Sequence, residues 1–144
     1  MKNTYLVAAD NSDGSQRALA HAIERAKASG AGLVLVHVID WSPYSFHTNE
    51  ELAQRHQRRE EEIVRAKEAI VQPLALKAES EGITVESHVR HGRGAETLAA
   101  MAQEFDVAQI IAGRSGETGL KSIVFGSTAS KLIQISDVPV LVVP

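Results

Sequence analysis

Hydrophobic residues fall into five short runs along the chain, separated by polar or amphipathic stretches. An apolar run with few interruptions is typical of a strand buried on both faces, whereas strict alternation indicates a strand with one polar face. The third run alternates, so we expect it at a sheet edge or only half covered. The predicted strands are Thr4–Ala9, Leu33–Ile39, Ile83–Val89, Val107–Ala112 and Val140–Val143.

Four stretches between these runs have apolar residues three and four positions apart, which predicts helices. Ser15 is predicted as the N-cap of the first helix, and Gly30 as its end. The second stretch, Glu50–Glu81, is strongly charged in its first half, which we expect to be exposed. Pro73 predicts a kink near Val71–Gln72, because proline has no backbone N–H to donate.

The remaining helices are defined by their apolar positions, and the last one also by hydroxyl residues at its start. Ser127 or Thr128 is predicted to cap the last helix. The residues predicted to face the core are Ala18, Leu19, Ala22, Ile23 and Ala26 in the first helix, Leu98, Ala99, Ala102 and Phe105 in the third, and Ala129, Leu132, Ile133 and Ile135 in the last.

The alternation of strands and helices decides the fold class. Strands separated by helices cannot pair as hairpins, so the sheet is predicted to be parallel, with right-handed crossovers covering both faces. We expect an α/β fold: a single open, doubly wound, five-stranded sheet of Rossmann-like type with strand order 3-2-1-4-5. At 144 residues, the chain is expected to form one domain over residues 1–144.

Composition excludes several function classes. The chain has 15 basic and 18 acidic residues, a net charge of −3, and no cysteine. We therefore expect no nucleic-acid partner, no membrane insertion, no disulfide and no thiol chemistry. The histidines lack metal-ligand spacing: His37 is expected in the core, and His88 and His91 at the surface. Without a signal-like or membrane-spanning run, the predicted location is cytoplasmic.

A glycine-rich stretch, Gly113–Ser127, follows the fourth strand and holds four of the ten glycines. Glycines let main-chain N–H groups come close to phosphate oxygens, and we expect this at Gly113 and Gly116. Gly126 precedes a helix start, where backbone donors and the helix dipole favour an anion.

Side chains near this stretch add to the predicted anion site. The hydroxyls of Ser127 and Thr128 can donate hydrogen bonds, and Arg114 and Lys121 supply positive charge. The alternative is a simple connector in which Ser127 is an ordinary cap. The stretch matches neither the P-loop nor the dinucleotide-binding glycine pattern.

Asp10 ends the first strand, and in open parallel sheets ligands bind beyond the carboxyl ends of strands where the strand order reverses. If the first and fourth strands are neighbours, Asp10 and Gly113 flank one crevice. We therefore favour a site role for Asp10 over a role as a turn cap.

The spacing G-x2-G-x9-G-[ST] is met by Gly113, Gly116, Gly126 and Ser127. This pattern resembles the ATP-binding branch of the universal stress protein family. The resemblance covers the whole chain, because YLVAADNSDGSQRAL, LVLVHVID and SDVPVLVVP are similar to the family's opening strand and turn, second strand and ending. The chain departs from the pattern at Asn11, Ala108 and Arg114-Ser115.

The resemblance implies a nucleotide site and its residues. Main chain at Ala8 and Ala9 meets the base, and Asp10 meets the ribose or, indirectly, a metal. The backbone of Val38 reads adenine, and Ala112 and Gly113 line the ribose–phosphate edge. The residues implied to hold the phosphates are Gly116, Gly126, Ser127 and Thr128. The implied ligand is ATP, ADP or AMP, with Mg²⁺.

The last strand, Val138–Val143, is apolar on both faces yet terminal, so at a sheet edge it would expose unpaired backbone groups. Pairing with a second copy would cover it, and the resemblance also implies a homodimer through this strand. The function we expect is nucleotide-dependent stress response or regulation. Hydrolysis is expected to be slow or absent, because only Asp10 is a candidate metal ligand or base.

Two other function classes stay open. A nucleotide-independent dimeric adaptor could regulate a protein partner such as a transporter. An enzyme of the wider adenine-nucleotide α-hydrolase-like group is disfavoured because SGGxDS and HxGH motifs are absent. A response-regulator receiver is disfavoured because no acidic pair follows the first strand.

Overall fold

A computed structural model of the chain describes residues 3–40, 49–114 and 127–144. The elements in chain order are β1 (Thr4–Ala8), α1 (Asp13–Ser29), β2 (Gly32–Asp40), α2 (Asn49–Ala66), α3 (Gln72–Glu79), β3 (Val85–Gly92), α4 (Gly94–Glu104), β4 (Gln109–Gly113), α5 (Ser127–Ile135) and β5 (Val140–Val143). A π-helical turn, Lys67–Val71, joins α2 to α3.

The five strands form one parallel sheet in the order β3-β2-β1-β4-β5, which confirms the predicted order and fold class. β1 lies at the centre, where Val7 pairs with Leu35 of β2 and Ile111 of β4. The chain leaves β1 towards β2 on one side and returns through β4 on the other. The strand order therefore reverses between β1 and β4.

The core lies in two layers, one on each face of the sheet. Leu19 of α1 and Leu35 belong to one layer, and Leu6 and Leu132 of α5 belong to the other. Neighbouring residues of β4 enter opposite layers, as the pleat of a strand requires. Burial on both faces explains why the central strands have uninterrupted apolar sequences.

The first helix begins earlier than predicted, because Ser12 and not Ser15 is its N-cap. The Ser12 hydroxyl accepts a hydrogen bond from the Ser15 backbone N–H at 3.1 Å. Ser15 is buried within the first turn, and its own hydroxyl accepts from the Asp10 backbone N–H at 3.0 Å. The predicted end at Gly30 is confirmed, since Gly30 adopts the left-handed conformation with φ of 74°.

The charged segment is helical, and its first half is largely exposed, as predicted. The irregularity expected near Val71–Gln72 is the π-helical turn that immediately precedes α3. Pro73 lies in the first turn of α3, where a missing N–H costs little. Proline is thus accommodated without a break in the helical path.

Two further predicted details are wrong. β3 is the edge strand expected, but it begins at Val85 and continues to Gly92, so His91 lies in the strand and not after it. Ile133 is 49% exposed, because it lies about 100° around α5 from the buried Leu132. None of the helices in the described ranges is long and apolar enough to cross a bilayer.

Candidate functional site

A cavity of about 230 Å³ opens at the carboxyl ends of the strands, where the strand order reverses. Residues of β1, β2 and β4 and of the starts of α1 and α5 line it. In open parallel sheets this is the position where ligands bind, because neighbouring crossovers diverge to opposite faces and leave a crevice.

The structure brings together all the predicted site residues that it describes. The residues that line the cavity include Ala8, Ala9, Asp10, Val38, Ala112, Gly113, Arg114, Ser127 and Thr128. The other predicted residues, Gly116, Lys121 and Gly126, lie outside the described residues. The predicted crevice between Asp10 and Gly113 is therefore present.

Asp10 is held in place by the start of α1. Its Oδ1 accepts a hydrogen bond from the Ser12 backbone N–H at 2.9 Å and another from the Ser12 hydroxyl. Its own N–H donates to the Ser15 hydroxyl. These three bonds join the end of β1 to the first turn of α1, so the half-buried carboxylate is fixed at the cavity wall.

Gly113 has a structural role that sequence reasoning did not predict. A Cβ at Gly113 would lie 2.9 Å from the backbone carbonyl group of Gly14, which is closer than real Cβ contacts. The missing side chain therefore lets β4 pack directly on the first turn of α1. This packing requirement accounts for a glycine at this position without any ligand, and the approach of the Gly113 N–H to a phosphate stays a prediction.

The opposite wall contains the polar groups that precede and begin α5. Arg114 is exposed, and its backbone N–H donates to the Val143 carbonyl oxygen of β5 at 2.7 Å. Ser127 and Thr128 lie in the exposed first turn of α5, where helix N–H groups lack intrahelical partners. A Cβ at Gly94 would be 3.2 Å from the Thr128 Oγ1, so the start of α4 also approaches this wall.

Sequence reasoning missed several cavity residues, which are Ser12, Ser15, Val36, His37, Asp40, Leu98 and Ala129. His37 was expected in the core but is only half-buried, and its Nδ1 lies 2.7 Å from the Ala9 carbonyl oxygen. A signal was available, because His37 and Asp40 flank the predicted Val38 at the carboxyl end of β2. Of the two histidines predicted at the surface, His91 has a side chain only 15% exposed and contacts Glu62 at 3.2 Å.

The described part of the wall carries two carboxylates, Asp10 and Asp40, and the guanidinium of Arg114. Within the described ranges no group of three or more histidine, aspartate or glutamate side chains could hold a metal ion. A hard cation such as Mg²⁺ commonly uses one or two carboxylates together with phosphate oxygens of its ligand. The donor set therefore fits a cation carried by a phosphate ligand better than one held by protein alone.

The chain matches the model of the universal stress protein family over residues 1–144. It is 33% identical over 156 residues to universal stress protein YxiE of Bacillus subtilis, with 99% of each chain covered. Its fold is similar to that of universal stress protein UspA from Lactobacillus plantarum, with a TM-score of 0.83 at 22% identity, covering 100% of this chain and 99% of the other.

Two further solved structures of similar fold contain a nucleotide. A universal stress protein from Archaeoglobus fulgidus in complex with dAMP has a TM-score of 0.66 at 22% identity, over 98% of this chain and 97% of the other. A universal stress protein in complex with cAMP has a TM-score of 0.67 at 22% identity, over 99% and 97%. At this identity the likeness establishes a common fold.

Proposed function

The chain belongs to the universal stress protein family, and from that premise we propose that it is an ATP-binding member that acts as a nucleotide-dependent regulatory module. The proposed ligand is ATP, ADP or AMP with Mg²⁺, and the proposed site is the cavity at the carboxyl ends of the strands. The proposal includes a single nucleotide-binding domain over residues 1–144, in a cytoplasmic protein.

One observation carries the proposal. Nine residues selected from the opening strand, the second strand and the glycine signature, far apart in sequence, line a single cavity at the reversal of strand order. A loop that only connected β4 to α5 would not require a crevice opposite Asp10. The dAMP and cAMP complexes of the same fold add support, since this architecture accommodates an adenine nucleotide in those proteins.

The proposed contacts divide the cavity into two parts. The backbone of Ala9 and Val38 meets the base, and the carboxylate of Asp10 meets the ribose or a phosphate-bound Mg²⁺. Exposed donors at Ser127 and Thr128, with the dipole of α5, hold the phosphates together with Gly116 and Gly126. Arg114 adds positive charge at the same end.

We propose binding with slow or no hydrolysis. A general base must be free to accept a proton from the attacking water. Oδ1 of Asp10 already accepts two hydrogen bonds from Ser12, so Oδ2 is left for that task, and the proposed contact with the ribose or a phosphate-bound Mg²⁺ would occupy it. A nucleotide that is bound without rapid turnover suits a regulatory module better than an enzyme.

The test is thermal unfolding of the purified protein with and without ATP–Mg²⁺. A ligand that binds only the folded state at 100 times its dissociation constant adds about 2.7 kcal/mol of stability and raises the melting temperature. Ser127→Asp supplies the informative variant, because an acidic residue is favourable in the first turn of a helix but repels phosphate. Ser127→Asn is its neutral control.

The expected result is a clear shift for the wild-type protein and for Ser127→Asn, and a much smaller shift for Ser127→Asp. If ATP–Mg²⁺ leaves the wild-type melt unchanged, the nucleotide proposal is wrong. The nucleotide-independent adaptor, with a protein partner such as a transporter, would then be the better hypothesis.

We also propose a homodimer through Val138–Val143. β5 has four apolar residues at a sheet edge, and all four are only half-buried. The other edge strand, β3, carries Arg90 and His91, which pair with glutamates of α4 and α2. Charged edges disfavour strand pairing, so the uncharged β5 is the edge suited to a second copy.

Size-exclusion chromatography with light scattering tests the dimer, because it measures the mass of the particle in solution and the mass of one chain is 15.5 kDa. Val142 is half-buried and belongs to neither core layer among the described residues, so Val142→Lys adds charge to the edge without emptying the core. We expect a dimer for the wild-type protein and a monomer for Val142→Lys. A wild-type monomer at tens of micromolar would contradict the proposal.

A further inference from the structure

His37 lies beside the proposed nucleotide site, and within the described residues its ring makes one hydrogen bond. The ring Nδ1 is 2.7 Å from the backbone carbonyl oxygen of Ala9, the buried residue that directly follows β1. The same histidine lines the cavity, although it was expected to be a core residue. Its position in β2 is directly before Val38, whose backbone is proposed to meet the base.

This contact fixes which ring nitrogen carries the proton. A carbonyl oxygen can only accept a hydrogen bond, so Nδ1 of His37 must be the donor. In the neutral ring, Nε2 then has a free lone pair and is an acceptor. No hydrogen bond or ion pair joins Nε2 to any residue of the described ranges.

We propose that Nε2 of His37 is a fixed acceptor that reads a hydrogen-bond donor on the nucleotide, either the exocyclic amine of adenine or a ribose hydroxyl. This inference rests on the proposed nucleotide function. The Ala9 contact makes Nε2 selective for a donor group of the nucleotide. Without that contact, the proton could move between the two ring nitrogens, and Nε2 could serve as either donor or acceptor. His37 is thereby a specificity-determining residue and not only a link between β1 and β2.

Two amide substitutions separate the two ring nitrogens. Asparagine can place its amide N–H near the position of Nδ1 and keep the bond to Ala9, but it does not reach the position of Nε2. Glutamine reaches the position of Nε2 and can present its carbonyl oxygen there as an acceptor. His37→Asn therefore removes the acceptor at the position of Nε2, and His37→Gln restores an acceptor there.

The experiment measures ATP–Mg²⁺ affinity by titration calorimetry for the wild-type protein and both variants. Three analogues are titrated in parallel: 2′-deoxy-ATP, 3′-deoxy-ATP and purine riboside triphosphate, which lacks the exocyclic amine. Losing one hydrogen bond is expected to weaken ATP binding roughly 3- to 10-fold in His37→Asn. His37→Gln should recover much of that loss.

The analogues identify the donor through a thermodynamic cycle. One analogue should bind the wild-type protein more weakly than ATP, and His37→Asn should bind that analogue and ATP about equally. If His37→Asn binds ATP as tightly as the wild-type protein, or if no analogue couples to position 37, the inference is overturned. If the wild-type protein binds no nucleotide at all, the proposed function fails and this inference fails with it.

Discussion

The two ends of the sheet differ in packing: side chains fill the amino end, whereas the carboxyl end keeps a cavity. At the amino end, large side chains fill the space: the Tyr5 hydroxyl contacts the Ser29 hydroxyl at 3.0 Å, and the Arg25 guanidinium lies 5.7 Å from the centre of the Tyr5 ring. At the carboxyl end, the main chain of Gly113 packs on Gly14, and a cavity remains.

The size of the side chains accounts for the difference. The large residues of β1 and β4 lie before the strand ends, and the ends are small: β1 reads TYLVA and is followed by Ala9, and β4 reads QIIAG. The small residues Ala8, Ala9 and Ala112 leave room beyond the last buried layer, and they line the cavity. The cavity therefore exists because the residues at these strand ends have small side chains that do not fill the space.

The largest expected loss of unfolding free energy comes from a substitution at the amino end of the sheet, where side chains fill the space. Leu33 is 1% exposed near the amino end of β2, and Leu33→Ala should lower the free energy of unfolding by about 2–5 kcal/mol, because a cavity replaces packed atoms. Nucleotide affinity, measured by calorimetry well below the melting temperature, should stay within a factor of two. A large loss of affinity would show that the two ends are not independent.

Gly113→Ala tests the open end and should lower the free energy of unfolding by about 1–3 kcal/mol, since the added methyl group meets backbone atoms of Gly14. It should also weaken nucleotide binding, because the Gly113 contact fixes the first turn of α1 next to Asp10. Chemical unfolding and calorimetry measure the two effects.

The matched control for Gly113→Ala is Gly94→Ala at the start of α4, beside the cavity residue Thr128. A Cβ there meets the Thr128 hydroxyl, which can rotate away, and alanine is favourable in a helix. We expect its stability to stay within about 0.5 kcal/mol of the wild-type value. Equal destabilisation by both variants would refute the view that backbone contact at Gly113 is the special feature.

Gly113 also illustrates how far sequence can predict the site. The glycine was correctly selected as a cavity residue, because position after a buried strand and family spacing both point to it. Its physical reason was not predictable, since contact with Gly14 depends on how closely α1 packs on β4. Sequence pattern locates a glycine but does not reveal which of its neighbours excludes a side chain.

The fold was predictable for a different reason. The apolar runs and the strict alternation of strands with helices determine a parallel sheet, and the alternating polar face of β3 indicated its edge position. The order of the strands does not follow from this alternation, because it depends on which strands become neighbours in space. Side-chain orientation near element ends was less predictable. His37 and Ile133 both sit in apolar sequences, yet one lines the cavity and the other faces solvent, because each lies at the limit of a packed layer.

A smaller loss of stability is expected when one hydroxyl is removed, and the two ends of the sheet each offer one hydroxyl for this comparison. Ser12→Ala removes the N-cap of α1 and should cost about 1 kcal/mol of unfolding free energy. Because Asp10 also loses its bond to the Ser12 hydroxyl, nucleotide affinity should fall several-fold. Chemical unfolding gives the first quantity, and calorimetry with ATP–Mg²⁺ gives the second.

Tyr5→Phe is the matched control, because it also removes one hydroxyl and one hydrogen bond, to Ser29. The expected cost is about 0.5–1.5 kcal/mol, with no change in nucleotide affinity. If both variants weaken binding in proportion to their loss of stability, Ser12 acts through general stability and not through Asp10.

The smallest effect lies at the β3 edge of the sheet, where Arg90 of β3 donates two hydrogen bonds to Glu104 of α4, at 2.8 and 2.6 Å. These bonds lower the pKa of the Glu104 carboxyl from its ordinary value. A lowered pKa in the folded state stabilises the protein above the unfolded pKa of about 4.3, and the stabilisation is lost as the pH falls through the lowered value. Glu104→Gln should therefore be slightly less stable than the wild-type protein at pH 7, and the difference should vanish in acid, because both side chains are then uncharged. Urea unfolding between pH 7 and pH 3 measures it, and a difference that persists unchanged in acid would mean that Glu104 acts through packing and not through its charge.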